Sequence, residues 1–255
     1  MKNIIYTTLI ALILLLTSCQ KHERIYPSDM LVTHTLPLSE WLQRPVTITG
    51  IDIFDMDCNL YIYILENEDD EDKIEITVNS NVFPHIHWTS INGGTINLMY
   101  DKVSFMHRKP NLTISLFVKN LRDVGLHGAS TAHINGVVIS DNLRIHLRGA
   151  SELRVHGEGR IEANHISAVL SGASKMNLSG QCEMLDITLS GASQAYGFGM
   201  VCEDLDAKLS GASKAEYTVL NTLSATLSGS SVLRYDGNPT IIYSNISGSS
   251  RLEKR

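Results

Sequence analysis

The pentapeptide Leu170-Ser-Gly-Ala-Ser174 returns as Leu189-Ser-Gly-Ala-Ser193 and again as Leu209-Ser-Gly-Ala-Ser213. Related versions occur on both sides, and the glycines of the seven copies are Gly128, Gly149, Gly172, Gly191, Gly211, Gly229 and Gly248. Consecutive glycines lie 18 to 23 residues apart. A nearly constant period of this length indicates a solenoid, in which each repeat forms one coil that stacks on the next.

Alignment on these glycines shows an alternating pattern before each turn. The residues two positions earlier are Leu126, Leu147, Leu170, Leu189, Leu209, Leu227 and Ile246, and apolar residues recur six positions earlier, with polar residues between. Strict alternation predicts a strand with one buried face. A second glycine follows eight residues later in most units, so each unit has two turns. We therefore predict an all-β fold, a parallel and right-handed β-helix.

The segment from Val46 to Asn120 alternates in the same way but has no repeat marker. Asn92-Gly-Gly94 between two strand-like runs predicts a hairpin. The runs 60–65 and 73–78 flank an acidic turn, Glu66 to Asp72, which we interpret as a solvated hairpin tip. We expect this strand-and-hairpin region to cap the N-terminal end of the β-helix.

The N-terminus resembles a bacterial lipoprotein leader. Lys2 precedes an apolar stretch from Ile4 to Leu16, and Leu16-Thr-Ser-Cys19 has the small residues and cysteine of a lipidation site. We predict that residues 1–18 are a signal peptide and that Cys19 is acylated as the first mature residue. Residues 19–45 are polar and carry three of the six prolines, which predicts a tether. Residues 46–255 then form the β-helix domain.

The repeated Leu-Ser-Gly-Ala-Ser, with the variants Leu126-His-Gly-Ala-Ser130 and Leu227-Ser-Gly-Ser-Ser231, resembles the GIN-domain family of putative auto-transporter adhesin heads. The resemblance extends from about Val46 to the C-terminus. It implies a β-helix in a cell-envelope protein that binds at a surface. It brings no catalytic motif that could be assigned to residues of this chain.

Composition narrows the function classes. The 255 residues carry a formal charge of −6, and loss of Lys2 with the leader leaves 20 basic against 27 acidic residues, or −7. An acidic chain without a basic cluster is a poor nucleic-acid binder. A single apolar run excludes a membrane protein with several spans.

Three polar groupings invite catalytic or metal-binding hypotheses. The repeated serine is better explained as a structural ladder, because a nucleophile needs one specific base. Asp186 and Asp206, with Lys208 beside them, should lie on adjacent coils, where they could hold calcium or act on a sugar, although a solvated face is the simpler interpretation. The acidic turn and the pair His85 and His87 lack complete ligand sets. We therefore predict no metal and no cofactor.

The segment Gln194-Ala-Tyr-Gly-Phe-Gly199 inverts the usual pattern, because Tyr196 and Phe198 occupy outward columns. Arg154 and His156 belong to the same columns on another coil. These four residues form a candidate binding face for a glycan or a protein. The alternative is a glycine bulge that flips the register and buries both rings.

Cys182 and Cys202 both lie nine residues before a repeat glycine, so they should be stacked neighbours. Their spacing in such a stack permits a disulfide in an exported protein, and free stacked thiols would also pack well.

The sequence thus predicts a lipid-anchored, non-enzymatic envelope protein, expected at the outer membrane, that engages a glycan or surface protein through its β-helix faces. A polysaccharide-active β-helix enzyme and a structural spacer remain alternatives.

Overall fold

The computed structural model describes residues 23–37, 48–90, 94–101 and 103–255. Strands contain 66% of the described residues. They form a parallel β-solenoid of about seven turns, which confirms the predicted fold class.

The repeat region supplies the strands that build the coils. They are β10 (Asp123–Gly128), β11 (Thr131–Asn135), β12 (Val137–Gly149), β13 (Glu152–Val155), β14 (Arg160–Leu170), β15 (Lys175–Asn177), β16 (Gly180–Leu189), β17 (Gln194–Leu209), β18 (Lys214–Leu227), β19 (Val232–Asp236), β20 (Thr240–Ile246) and β21 (Arg251–Lys254). Each pairs in parallel with the strand one coil away, so that Leu189 lies opposite Leu209. Residues one repeat apart in the sequence are therefore neighbours on adjacent coils.

The leucine column fills the core as predicted. Its leucines from Leu126 to Leu227 are all at most 1% exposed. Stacked strands lie about 4.8 Å apart, so each leucine covers those of the adjacent coils. Ile246, in the last coil, is the exception at 43% exposed.

The serine column is structural, as predicted. Ser174, Ser193 and Ser213 are fully buried. Each hydroxyl donates to the carbonyl three residues earlier, at 2.8, 2.7 and 2.9 Å respectively. These three hydroxyls therefore help to close the turns of their coils.

Most of the N-terminal strands extend the same solenoid out of chain order, whereas β1 and β8 form a separate two-stranded sheet. The N-terminal strands are β1 (Glu23–Ile25), β2 (Leu31–Pro37), β3 (Gly50–Phe54), β4 (Asn59–Ile64), β5 (Lys73–Asn79), β6 (Ile86–Ser90), β7 (Thr95–Tyr100), β8 (Val103–Phe105) and β9 (Thr113–Val118), with a 3-10 turn at Phe83–His85. β3 lies between β7 and β10, and β4 lies between β9 and β11. The chain thus builds its second coil before its first.

Antiparallel strands close this end, as the predicted cap requires. β6 pairs with β7, which confirms the hairpin around Asn92-Gly-Gly94, although residues 91–93 lie outside the described part.

The predicted hairpin of β4 and β5 is wrong, because β9 lies between them and pairs with both. The acidic segment is therefore a crossing loop. Two backbone amides, of Ile48 and Lys119, donate to its Asp72.

Part of the segment predicted as a tether is folded. β2 pairs antiparallel with β5 along seven residues, and β1 pairs in parallel with β8. The alternation in Leu31-Val-Thr-His-Thr-Leu36 supplies the strand pattern that the prolines around it obscured. The body of the molecule therefore begins before Val46. Cys19 and residues 38–47 lie outside the described residues.

Candidate binding face

One parallel sheet carries the candidate residues on its outer surface. It includes β9, β4, β11, β13, β15, the first part of β17 and of β18, β19 and β21. Its register aligns one outward column across the coils: Ser115, Tyr61, His133, Arg154, Asn177, Tyr196, Glu216, Arg234 and Glu253. Arg154 and Tyr196 therefore share a column, two coils apart, as predicted.

Aromatic and histidine rings stack on this sheet in the first coils of the solenoid. Tyr61 stacks on His133 with centroids 5.2 Å apart, and Tyr63 stacks on Phe117 at 4.9 Å. His156 contacts His133 edge-on at 5.9 Å. Together with Tyr196, these residues form what we call the aromatic face: Tyr61, Tyr63, Phe117, His133, His156 and Tyr196. The stacking holds the rings in fixed positions before any ligand arrives.

Two cations lie at the aromatic face. Lys73 Nζ is 4.4 Å from the Phe117 ring centroid. The Arg154 guanidinium is exposed and lies 2.8 Å from Glu152. Burial, together with the neighbouring His156 and Arg154, lowers the pKa of His133. The His133 ring is therefore neutral at pH 7, so it stacks on Tyr61 without adding a charge beside Arg154.

The structure qualifies the prediction for Tyr196 and Phe198. The register keeps both rings outside, because Ala195 and Gly197, which alternate with them along the strand, are buried. Both rings are nevertheless half-buried. The Tyr196 hydroxyl donates to Gln194 Oε1 at 2.9 Å, and the Arg255 guanidinium lies 4.7 Å from the Phe198 ring centroid. These two residues alone therefore do not form an open stacking platform.

A buried tyrosine on the next coil explains the inverted pattern. Tyr217 is the register partner of Gly197 and is fully buried. A Cβ at Gly197 would lie 2.5 Å from Tyr217 Cε1, so the glycine makes the space that this ring fills. The expected bulge is real, since the register shifts between Gly197 and Val201, but it does not turn the rings inward.

Sequence reasoning missed Tyr61, Tyr63, Phe117 and His133 as members of this face. Their alternation within each strand was visible, and it marked them as outward residues. The strands of Tyr61, Tyr63 and Phe117, however, stack out of chain order, so no sequence pattern placed these residues beside Arg154. His133 lies five residues after Gly128, as Arg154 lies five after Gly149, so the repeat alignment could have placed His133 there.

Cys182 and Cys202 are register partners on adjacent coils. Both are buried and free. The neighbouring Cys182 thiol and burial both raise the pKa of Cys202, so the Cys202 thiol stays protonated in the core.

The two carboxylates considered for catalysis are also register partners. Asp186 pairs with His165 at 2.8 Å and Asp206 with Lys208 at 2.9 Å. A cavity of about 400 Å³ near them is lined by Arg144, His165 and Ser167 among others, but by neither carboxylate. The aspartates therefore lie on an open strand face rather than in a substrate groove.

Within the described ranges, no group of three or more His, Cys, Asp or Glu side chains could hold a metal ion. No helix in that part of the chain has the length and apolarity to cross a membrane.

Residues 60–239 match the family model described as "Putative auto-transporter adhesin, head GIN domain". No curated protein matches the sequence.

Solved structures share the fold. A putative adhesin from Bacteroides fragilis is 18% identical with a TM-score of 0.78, covering 91% of this chain and 100% of its own. A putative adhesin from Parabacteroides merdae is 18% identical with a TM-score of 0.62, covering 91% and 99%. A putative lipid binding protein from Parabacteroides distasonis is 13% identical with a TM-score of 0.59, covering 91% and 100%.

Proposed function

Because this chain belongs to the GIN-domain family of putative auto-transporter adhesin heads, we propose that it is a non-enzymatic adhesin head that binds an extended glycan at the cell envelope. The aromatic face is its binding surface. The observation that carries the proposal is the set of ring contacts on one continuous parallel sheet, which joins Phe117 to Tyr63 and Tyr61 to His133 and His156.

The chemistry of this face suits a hydroxyl-rich polymer. Because the tyrosine and histidine rings stack on each other, they offer their edges and polar tips outward rather than their flat faces. Tyr hydroxyls, imidazole nitrogens, Arg154 and Asn177 then supply donors and acceptors in rows. Coils repeat about every 4.8 Å, which is comparable to the advance of one pyranose unit along an extended glycan.

Pre-organisation supports binding through such a flat surface. The side chains stand on paired strands and are held by ring contacts, so little conformational entropy is lost when a ligand binds. A protein partner would need a larger apolar centre than this face provides, since Tyr63 is its most exposed tyrosine at 36%.

We propose in addition that acylated Cys19 holds the protein at the outer membrane. β1 begins at Glu23, four residues after Cys19, and pairs with β8 near the N-terminal end of the solenoid. The anchor would therefore lie next to this end, with the later coils extending away from the lipid surface. Two or three acyl chains suffice for stable anchoring.

The anchor is tested by metabolic labelling with a clickable fatty acid. We expect Cys19→Ala to abolish labelling, because the thiol is the acceptor of the diacylglycerol. Ser18→Ala keeps a small residue at the cleavage site and should label like the wild type. Undiminished labelling of Cys19→Ala would refute the anchor.

The binding face is tested with full-length protein in mild detergent on an array of bacterial and host polysaccharides. We expect Tyr63→Ala to weaken binding to the best glycan at least tenfold, equal to about 1.4 kcal/mol. Tyr26→Ala removes an exposed aromatic ring outside this face (54% exposed) and serves as the matched control.

Three outcomes would overturn this assignment. Equal binding by both variants would exclude the aromatic face. Binding to no polysaccharide would exclude a glycan ligand. Shortening of the bound polysaccharide during incubation would show that the protein is an enzyme, and Asp186 and Asp206 would then be the first residues to substitute.

A further inference from the structure

The last coil leaves an apolar strand uncovered. All seven residues of β20, Thr-Ile-Ile-Tyr-Ser-Asn-Ile, are exposed. They include large apolar side chains at high exposure: Ile241 (44%), Ile242 (63%), Tyr243 (53%) and Ile246 (43%). In every earlier coil of the repeat region, the residue equivalent to Ile246 is buried under the next coil. The end of the core is therefore open here.

One edge of β20 is also unpaired. Among the described residues, β20 pairs with β18 and with no other strand. The amide of Ser247 donates to Leu227 of the preceding coil. Because successive amides point to opposite edges of a strand, the amides of Ser244 and Ile246 point to the free edge. A long, uncharged and unpaired edge is a template for another strand.

The neighbouring strand at this end is protected by charge. β21 carries Arg251, Glu253 and Lys254, and charged residues discourage pairing at an edge. β20 carries no charged residue.

We propose that β20 pairs antiparallel with β20 of a second copy of this chain, which joins two solenoids end to end. The segment Ile242-Tyr-Ser-Asn-Ile246 is nearly palindromic in its apolar positions. A two-fold axis at Ser244 places Ile242 opposite Ile246 of the partner, and the reverse, so that four isoleucines cover the two open cores. The absence of charge on β20 means that no like charges meet across the axis.

This contact closes on itself. An isologous pair uses the same strand on both copies, so it stops at a dimer. A contact between β20 and the N-terminal end of another copy would instead continue into a filament. The near-palindromic apolar positions of β20 favour the closed dimer, which would present two aromatic faces on one particle.

The mass of full-length protein in detergent, measured by light scattering after size exclusion, tests the dimer. We expect the wild type to have twice the chain mass and Ile242→Lys to be monomeric, with unchanged circular dichroism. Ile139→Lys is the matched control, since Ile139 is equally apolar and 71% exposed on the side of the solenoid. This control should remain dimeric.

Engineered cysteines test the register. In the proposed pair the two Ser244 Cα atoms lie about 5.5 Å apart, within the 4.4–6.8 Å range for a disulfide. Ser244→Cys should therefore form a covalent dimer on a non-reducing gel of whole cells. Thr240→Cys should not, because its two copies would be roughly 27 Å apart.

A monomeric wild type, or an Ile139→Lys variant that dissociates like Ile242→Lys, would overturn the proposal. So would masses that grow with concentration beyond a dimer, which indicate head-to-tail filaments. Equal cross-linking of both cysteine variants would reject the register.

Discussion

Replacement of Leu209 by aspartate should unfold the coils around it and lower the free energy of unfolding by more than about 4 kcal/mol. Leu209 is 1% exposed and lies between Leu189 and Leu227 in the core column. The change removes a buried leucine, worth roughly 2–3 kcal/mol, and places a carboxylate where no cation or hydrogen-bond donor replaces water. Urea denaturation followed by circular dichroism measures the loss.

Leu220→Asp is the control for this experiment, because it makes the same chemical change at a residue of β18 that is 48% exposed. Its unfolding midpoint should stay close to that of the wild type. If Leu209→Asp and Leu220→Asp unfolded at the same urea concentration, the leucine column would not be the core of the fold.

Substitution of Gly211 by alanine should be nearly as damaging, although it adds only one methyl group. Gly211 has φ +75°, and a Cβ there would lie 2.5 Å from the carbonyl oxygen of Gly191 in the preceding coil. The left-handed backbone costs an alanine about 1–2 kcal/mol, and overpacking against a backbone atom adds about 1–3 kcal/mol. The neighbouring coil cannot yield, because Ala212 donates to that same carbonyl at 2.7 Å.

Gly157→Ala separates the two contributions. Gly157 also has a positive φ, +62°, but nothing lies within 4 Å of its Cβ position. It should therefore show the backbone cost alone, and Gly211→Ala should be less stable by a further 1–3 kcal/mol, as overpacking predicts. Equal urea midpoints for the two variants would mean that the glycine ladder does not require close contact between coils.

These expectations bear on function because the aromatic face stands on the same coils. Arg154, Asn177 and Tyr196 are aligned by the turns that the glycines and serines close. A variant that disturbs one turn should therefore also disturb the spacing of the binding groups. Binding measurements on stability variants should be made well below their unfolding midpoints.

The sequence by itself determined the architecture of the repeat region. In-register parallel stacking makes the next repeat the next neighbour, so a period of about 20 residues is enough to pair Leu189 with Leu209, Cys182 with Cys202 and Asp186 with Asp206. The same logic placed Arg154 and Tyr196 in one column. The recurrence of a serine at every turn also predicted that these serines are structural.

Tertiary structure alone decided three other features. The order of the first coils is not the order of the chain, and without a repeat marker no local pattern could show that β4 stacks beside β11, which brings Tyr61 and Tyr63 to the face. The Phe198 ring is covered by the guanidinium of Arg255, which lies 57 residues later in the chain. The inversion at Gly197 depends on the volume of Tyr217 one coil away. Alternation specifies which side of a strand a residue occupies, whereas its exposure depends on the size of whatever packs there from the rest of the chain.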